Sequence, residues 1–270
     1  MLRDITIGQY YQAKSVIHSL DPRVKLFGTL VFILALFISD NVIGYAIATI
    51  FFLTVVYLSK VPIKFMMKGL KAIVVIIAFS AVFTMFATDG HVLAKIWIFK
   101  ITAEGVIKAV QIVYRLVILI MSASVMTLTT TPTDIADGME KSFSPLNKIK
   151  VPVHEIAMMV SIAFRFIPIL TEETDKIMKA QMARGADFES GGFIKKAKAM
   201  IPLIVPLLVS SVRRALDLAT AMEARCYKGG EGRTKMKPLV YKNRDRIAYG
   251  ILVAYFAVMV GMNYVWKVII

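Results

Sequence analysis

A chain of 270 residues that is 57% hydrophobic exceeds the apolar share of about 45–50% usual in soluble domains, and calls for a bilayer. Its one cysteine, Cys226, excludes an internal disulfide framework and a thiolate metal cage built by this chain alone, and no metal site is expected. A net charge of +15 would suit nucleic acid in a soluble protein, so its position relative to the apolar stretches has to be read first.

Residues 1–23 are polar and carry Arg3, Asp4, Lys14, His18, Asp21 and Arg23. They lack the pattern of a cleaved leader, so the N-terminus reads as mature. Asp21-Pro22-Arg23 reads as a helix start, with Asp21 capping and Pro22 in the first turn. Uncharged apolar stretches follow at Leu26–Ser39, Val42–Ser59, Ala72–Thr88, Leu116–Thr131 and Ile247–Trp266, and predict five transmembrane helices. The first stretch covers only about 21 Å at the helical rise, so Val24 and a snorkelling Lys25 extend it.

Asp40-Asn41 makes a tight turn between the first two spans. Lys60, Lys64, Lys68 and Lys71 follow the second without an acidic residue, which makes that loop cytoplasmic, the N-terminus cytoplasmic and the C-terminus external. Asp89–Glu104, with Trp97 and Phe99 beside Lys95 and Lys100, reads as an external interfacial segment. The fourth span begins near Ala109 and admits Arg115, which is expected to snorkel to the external face.

Residues 132–246 hold 20 of the 33 lysines and arginines with 13 acidic residues, so the positive charge is mainly topological and the region reads as folded and cytoplasmic, not as a nucleic-acid-binding tail. The chain thus divides into residues 1–131 with four spans, 132–246, and a last span in 247–270. Pro152–Leu170 contains His154, Glu155 and Arg165, and Met200–Val209 is short and contains Pro202 and Pro206. Both read as amphipathic helices and not as spans. Thr171–Arg184 reads as a helix capped by Thr171, with Glu172 and Glu173 in its first turn and Gly185 as its stop. A further helix runs through Arg213 and Arg214 to Cys226 and is closed by Gly229-Gly230. Two helices therefore end in a small-Arg-small tripeptide, Ala183-Arg184-Gly185 and Ala224-Arg225-Cys226. A lone arginine there interacts with its own helix end for about 0.3–1 kcal/mol. Repetition favours a guanidinium that enters a groove on another protein.

The run from Ser161 through Arg165, Pro168, Glu172 and Glu173 to Gln181, Ala183, Arg184 and Gly185 resembles the signature of the transmembrane T component, EcfT, of energy-coupling factor (ECF) transporters. Ser15 to Lys25, with His18 and Asp21-Pro22-Arg23, then Thr131-Pro132 and Ser144-Pro145-Leu146 before Val151-Pro152, support it. The resemblance covers essentially the whole chain. It implies an all-α integral membrane protein with about five transmembrane helices and long cytoplasmic coupling helices between the fourth and fifth. It also implies two ATP-binding cassette ATPase partners, which bind the ATP and magnesium, and a membrane S component that captures a vitamin or other micronutrient. Arg184 and Arg225 would be the coupling arginines, and Cys226 stands where the family often has glycine. Met158, Met159, Met178 and Met182 would belong to a repackable platform for the S component, with Met200 and Met222; internal helix packing is the plainer account of any one of them.

No phosphate-binding loop occurs, since Gly229–Arg233 lacks its spacing, and His154-Glu155 lacks the second histidine of a zinc protease helix. Arg165 needs a partner if buried, with Glu155, Glu172 and Glu173 as candidates. The rival readings are a membrane-embedded enzyme with His154, Glu155 and Arg165 as its polar site, and a passive assembly scaffold.

Overall fold

A computed structural model describes residues 10–39, 41–96, 99–188, 192–229 and 238–269. It divides into two compact units, one of residues 6–138 with 239–270 and one centred on 139–238. The first contains α1 (Pro22–Ile38), α2 (Val42–Ser59), α3 (Ile63–Ala87), α4 (Ala103–Thr129), most of α5 (Pro132–Phe143) and α8 (Asn243–Ile269); the second contains a 3-10 turn (Ser144–Ile149), α6 (Val153–Ala183) and α7 (Phe193–Ala224). Among the described residues the fold is helical apart from one antiparallel hairpin, β1 (Val92–Ile96) with β2 (Phe99–Thr102).

That hairpin occupies the stretch expected to lie at the interface; Trp97 lies outside the described residues. Helix α4 starts at Ala103 and not near Ala109, because the Thr102 hydroxyl accepts the Gly105 N–H (3.0 Å) and caps the end. By length and apolar content α2, α4, α6, residues 198–224 of α7 and α8 each suffice to cross a membrane, and α3 makes a sixth if Ile63–Lys71 and Ile73–Ala87 count together. The stretches judged unfit to span, Pro152–Leu170 and Met200–Val209, are parts of longer helices and pass on that account, whereas α1, of 17 residues, falls short.

Helices α1, α2, α4 and α8 share one core. Phe32 stacks on Phe51 (5.8 Å between centroids) and on Tyr255 (5.8 Å), and Phe51 stacks on Tyr255 (4.3 Å). Leu36, Met66 and Met259 are buried beside them. Lipid is as apolar as these side chains, so close packing and satisfied polar groups hold such a bundle, not escape from water.

Among the described residues the buried charges are all at helix ends. Asp21 caps α1 through the Arg23 N–H (2.9 Å), as expected, and pairs with the Arg23 guanidinium (2.9 Å). Desolvation pushes the Asp21 carboxyl up, but the Arg23 hydrogen bonds outweigh it and hold it below the ordinary range. Arg23 also lies over the Tyr241 ring, 3.7 Å from its centroid. Lys25 donates to the Thr129 carbonyl (2.7 Å), the last residue of α4, and to the His18 carbonyl (3.2 Å). It is buried and not snorkelling.

Arg115 donates to the Ser39 carbonyl (2.7 Å) at the end of α1, with the Phe37 and Tyr45 rings 5.9 and 5.7 Å away. Lys25 and Ser39 are 14 residues apart, as are Arg115 and Thr129. The antiparallel α1/α4 pair is therefore tied at both ends, by a cation meeting the carbonyl end of the other helix each time. Arg115 does not snorkel along α4, which continues about 18 Å past it toward Ala103.

Asp245, 1% exposed, was not singled out in the sequence. One carboxylate oxygen accepts the Lys242 N–H (2.8 Å), capping α8, and the other accepts the Asp21 N–H (2.9 Å), so one side chain joins the starts of α8 and α1. Asp245→Ala leaves two backbone donors without their partner and is expected to cost about 1–3 kcal/mol. In a detergent-solubilised melt this should appear as a drop of several degrees, and Asp245→Asn should fall between; an unchanged melting point would contradict the assignment.

Candidate functional site

Every residue of the two small-Arg-small tripeptides lies on α6, α7 or the turn that follows each. The separate helix expected to start at Thr171 does not exist: α6 runs unbroken from Val153 to Ala183 through Pro168, and the Thr171 hydroxyl donates back to the Ile167 carbonyl (2.8 Å). Likewise α7 runs through Pro202 and Pro206, merging Met200–Val209 with the helix after it. Each proline removes one backbone donor, which a long helix survives when its other turns remain bonded.

Between α6 and α7 the Glu173 carboxylate accepts the Ser210 hydroxyl (2.6 Å) and pairs with the Arg214 guanidinium. The Ser210 hydrogen bond, with the Arg214 charge behind it, holds this carboxyl below the ordinary glutamate range against a smaller opposing desolvation. On one side of the pair, Ile162, Phe166 and Leu170 face Ala215, Leu218 and Met222 across an apolar groove of about 300 Å³. Higher numbers on α6 meet lower numbers on α7, so the two helices cross antiparallel and their C-terminal ends point opposite ways.

Those ends are built alike. After α6, the Ala186 N–H donates to the Gln181 carbonyl (3.0 Å) and the Gly185 N–H to the Met182 carbonyl (3.0 Å); after α7, the Tyr227 N–H donates to Met222 (3.0 Å) and the Cys226 N–H to Glu223 (2.8 Å). Each is a Schellman cap with the arginine at the C-cap and the next residue left-handed. Gly185 has φ +90° and Cys226 φ +57°. The left-handed residue that closes α7 is thus Cys226, just after the Arg225 C-cap; Gly229, also at positive φ, lies beyond it and does not close the helix, and Gly230 lies outside the described residues. This explains the tripeptides: the third residue must turn left-handed, and the arginine before it projects from the rim of the helix. Arg184 and Arg225 are exposed, and their guanidinium groups make no hydrogen bond or ion pair with any described residue.

The remaining residues of interest are spread along α6. Arg165 is exposed and does not meet Glu155, Glu172 or Glu173; the last is taken by Arg214. His154 pairs with Glu140 (3.0 Å). Because ten residues separate Glu155 from Arg165, about 15 Å of helix lies between them, and the three side chains do not form one polar site. Pro168 and Glu172 are exposed and Gln181 half-buried. Met159 and Met182 are exposed, Met158 and Met178 half-buried. Ser210 and Arg214 were missed as a pair with Glu173. Their i, i+4 spacing was legible, but nothing in it named a partner 37 and 41 residues away.

A family model described as CbiQ, cobalt transport protein, matches residues 13–236. Several curated relatives named energy-coupling factor transporter transmembrane protein EcfT match nearly end to end. One from Ruminiclostridium cellulolyticum is 47% identical over 98% of this chain and 100% of its own length. One from Clostridium kluyveri is 52% identical over 92% and 93%, and one from Bacillus subtilis 48% identical over 91% and 93%. The chain belongs to the EcfT family. As a member with several helices of spanning length, it is a multi-pass membrane component of the ECF transporter type.

A left-handed non-glycine residue costs about 1–2 kcal/mol. Cys226→Gly is therefore expected to tighten the α7 cap, read as slower amide exchange at residues 226 and 227, and Gly185→Ala to loosen the α6 cap and speed exchange at 185 and 186. Equal exchange in parent and variants would show that these turns are not set by their third residue.

Proposed function

We propose that this chain is the coupling subunit of an ECF-type transporter for vitamins or other micronutrients. It transmits the ATP-driven motion of two ATP-binding cassette subunits to a membrane S component that holds the substrate. Helices α1–α4 and α8 cross the bilayer, with the N-terminus cytoplasmic and the C-terminus external, and α6 and α7 lie on the cytoplasmic side. The chain is not itself catalytic, and ATP and magnesium belong to the ATPase partners.

The observation that carries this reading is the matched pair of exposed arginines on twin Schellman caps at opposite ends of a crossed helix pair. Two equivalent anchors pointing apart suit two ATPase subunits, one at each end, with Ala183, Gly185, Ala224 and Cys226 small enough for a guanidinium to sink into a partner's carboxylate- or carbonyl-lined groove. The Glu173 contact with Ser210 and Arg214 lies near the crossing and acts as its pivot. When ATP draws the two ATPases together, the ends carrying Arg184 and Arg225 follow and the crossing angle changes. The exposed apolar side chains of α7, among them Ile201, Ile204, Val205, Leu208 and Val212, need a cover. Together with Met158, Met159, Met178 and Met182 of α6 they supply the surface on which the S component rests and reorients. Only contacts that differ between the two states transmit the motion.

Arg184→Ala with Arg225→Ala should insert normally but lose ATPase association by at least about tenfold, equivalent to about 1.4 kcal/mol. ATP-driven uptake in vesicles containing the partner subunits should be abolished. Uptake at the parental rate by the double variant would overturn the coupling role. Each single variant should weaken one ATPase contact and leave the other, as seen by cross-linking.

A further inference from the structure

Apart from the crossed helices, the larger helical unit holds a pocket of about 700 Å³ between residues 13–19 and the end of α2. Two exposed lysines line it, Lys14 and Lys60, and neither has an ion-pair partner among the described residues. Its wall also includes Tyr57 and Val16, which are 84% and 57% exposed.

The polar floor is fixed and uncharged. His18 donates from Nε2 to the Tyr11 carbonyl (2.9 Å) and accepts the Ser15 hydroxyl at Nδ1 (2.7 Å). Burial, with the Lys25 charge adding to it, keeps the imidazole below its ordinary pKa, so it is neutral at physiological pH and its tautomer is set by these bonds. Positive charge in the pocket therefore comes from the two ammonium groups. No carboxylate lines it.

We propose that this pocket binds the phosphate headgroup of an anionic phospholipid. The two lysines meet the phosphate, and the acyl chains run down the outward face of α2 beside Tyr57. Two features select a lipid over free phosphate: the apolar rim continues onto the exposed surface of a membrane-spanning helix, and Lys60 ends that helix, at the depth where headgroups lie. An anionic headgroup neutralises a pair of lysines that would otherwise repel across an empty pocket. Assignment to the cytoplasmic leaflet rests on the proposed orientation; binding itself does not, and it requires neither ATPase nor S component.

The test uses the full chain purified alone in detergent. Native mass spectrometry would count retained dioleoylphosphatidylglycerol against dioleoylphosphatidylcholine. The parent should prefer the anionic lipid by about thirtyfold, as expected of two lysines at a membrane surface. Lys14→Gln with Lys60→Gln should abolish the preference while eluting as a monodisperse species, and Lys141→Gln with Lys148→Gln, which do not line the pocket, should keep it. Val16→Trp, which fills the pocket without altering charge, should also lose it, so a misfolded charge variant would not leave the question open. Unchanged preference in both pocket variants would overturn the proposal. Displacement of the bound lipid by millimolar inorganic phosphate would overturn the lipid assignment in favour of a free-phosphate site.

Discussion

The open ends of helices govern this protein. A helix leaves backbone donors at its start and acceptors at its end, and in a bilayer no water is available to complete them. The bundle meets the constraint with its scarcest material, since among the described residues the buried acidic and basic side chains are Asp21, Lys25 and Asp245, and each is bonded to a helix end. The ties are reciprocal: a cation on α1 answers the end of α4, and a cation on α4 answers the end of α1. The bundle thereby gains register without an isolated charge in its apolar interior.

The same chemistry reaches a different result in the smaller unit. At the tips of α6 and α7 the carbonyls are completed by the chain's own backbone through a left-handed turn, which relieves the arginine side chains of capping. They are left free at the surface, and this is what an anchor for another protein requires. Between the tips, Glu173 with Ser210 and Arg214 joins the two helices by polar contacts that are part-exposed, beside an apolar groove that is not filled by interdigitating side chains. A crossing of that kind can change its angle at lower cost than a fully interdigitated pair.

Much of this was legible in the residues. Asp21-Pro22 announced the start of α1, the apolar stretches announced α1–α4 and α8, and Gly185 announced the end of α6. What escaped was set by distance along the chain or by competition between signals. Asp245 looked like one more charge in a basic loop because its partner is 224 residues away. Thr171 looked like a cap because its own sequence is that of one, but the preceding turns were already helical and Pro168 was not enough to end them. Gly229-Gly230 outranked Cys226 as a stop because glycine is the usual left-handed residue, and a cysteine in that conformation is recognised only from its backbone angles. Arg115 gave a true signal of cost in an apolar helix, but which carbonyl it met depended on the α1–α2 turn.

The tie between Arg115 and Ser39 also fixes how far α4 stands above its neighbours. Helices α1 and α2, of 17 and 18 residues, measure about 26 Å, whereas α4, of 27 residues, measures about 40 Å. Because Arg115 sits level with the end of α1, the extra length of α4 is the part from Ala103 to Arg115, which carries Glu104 and Lys108, and a hydrocarbon slab matched to the shorter pair also fits the apolar part of α4. The first three turns of α4 therefore project past the α1–α2 turn, and anything docking on that side of the subunit meets this raised edge before it reaches the shorter helices.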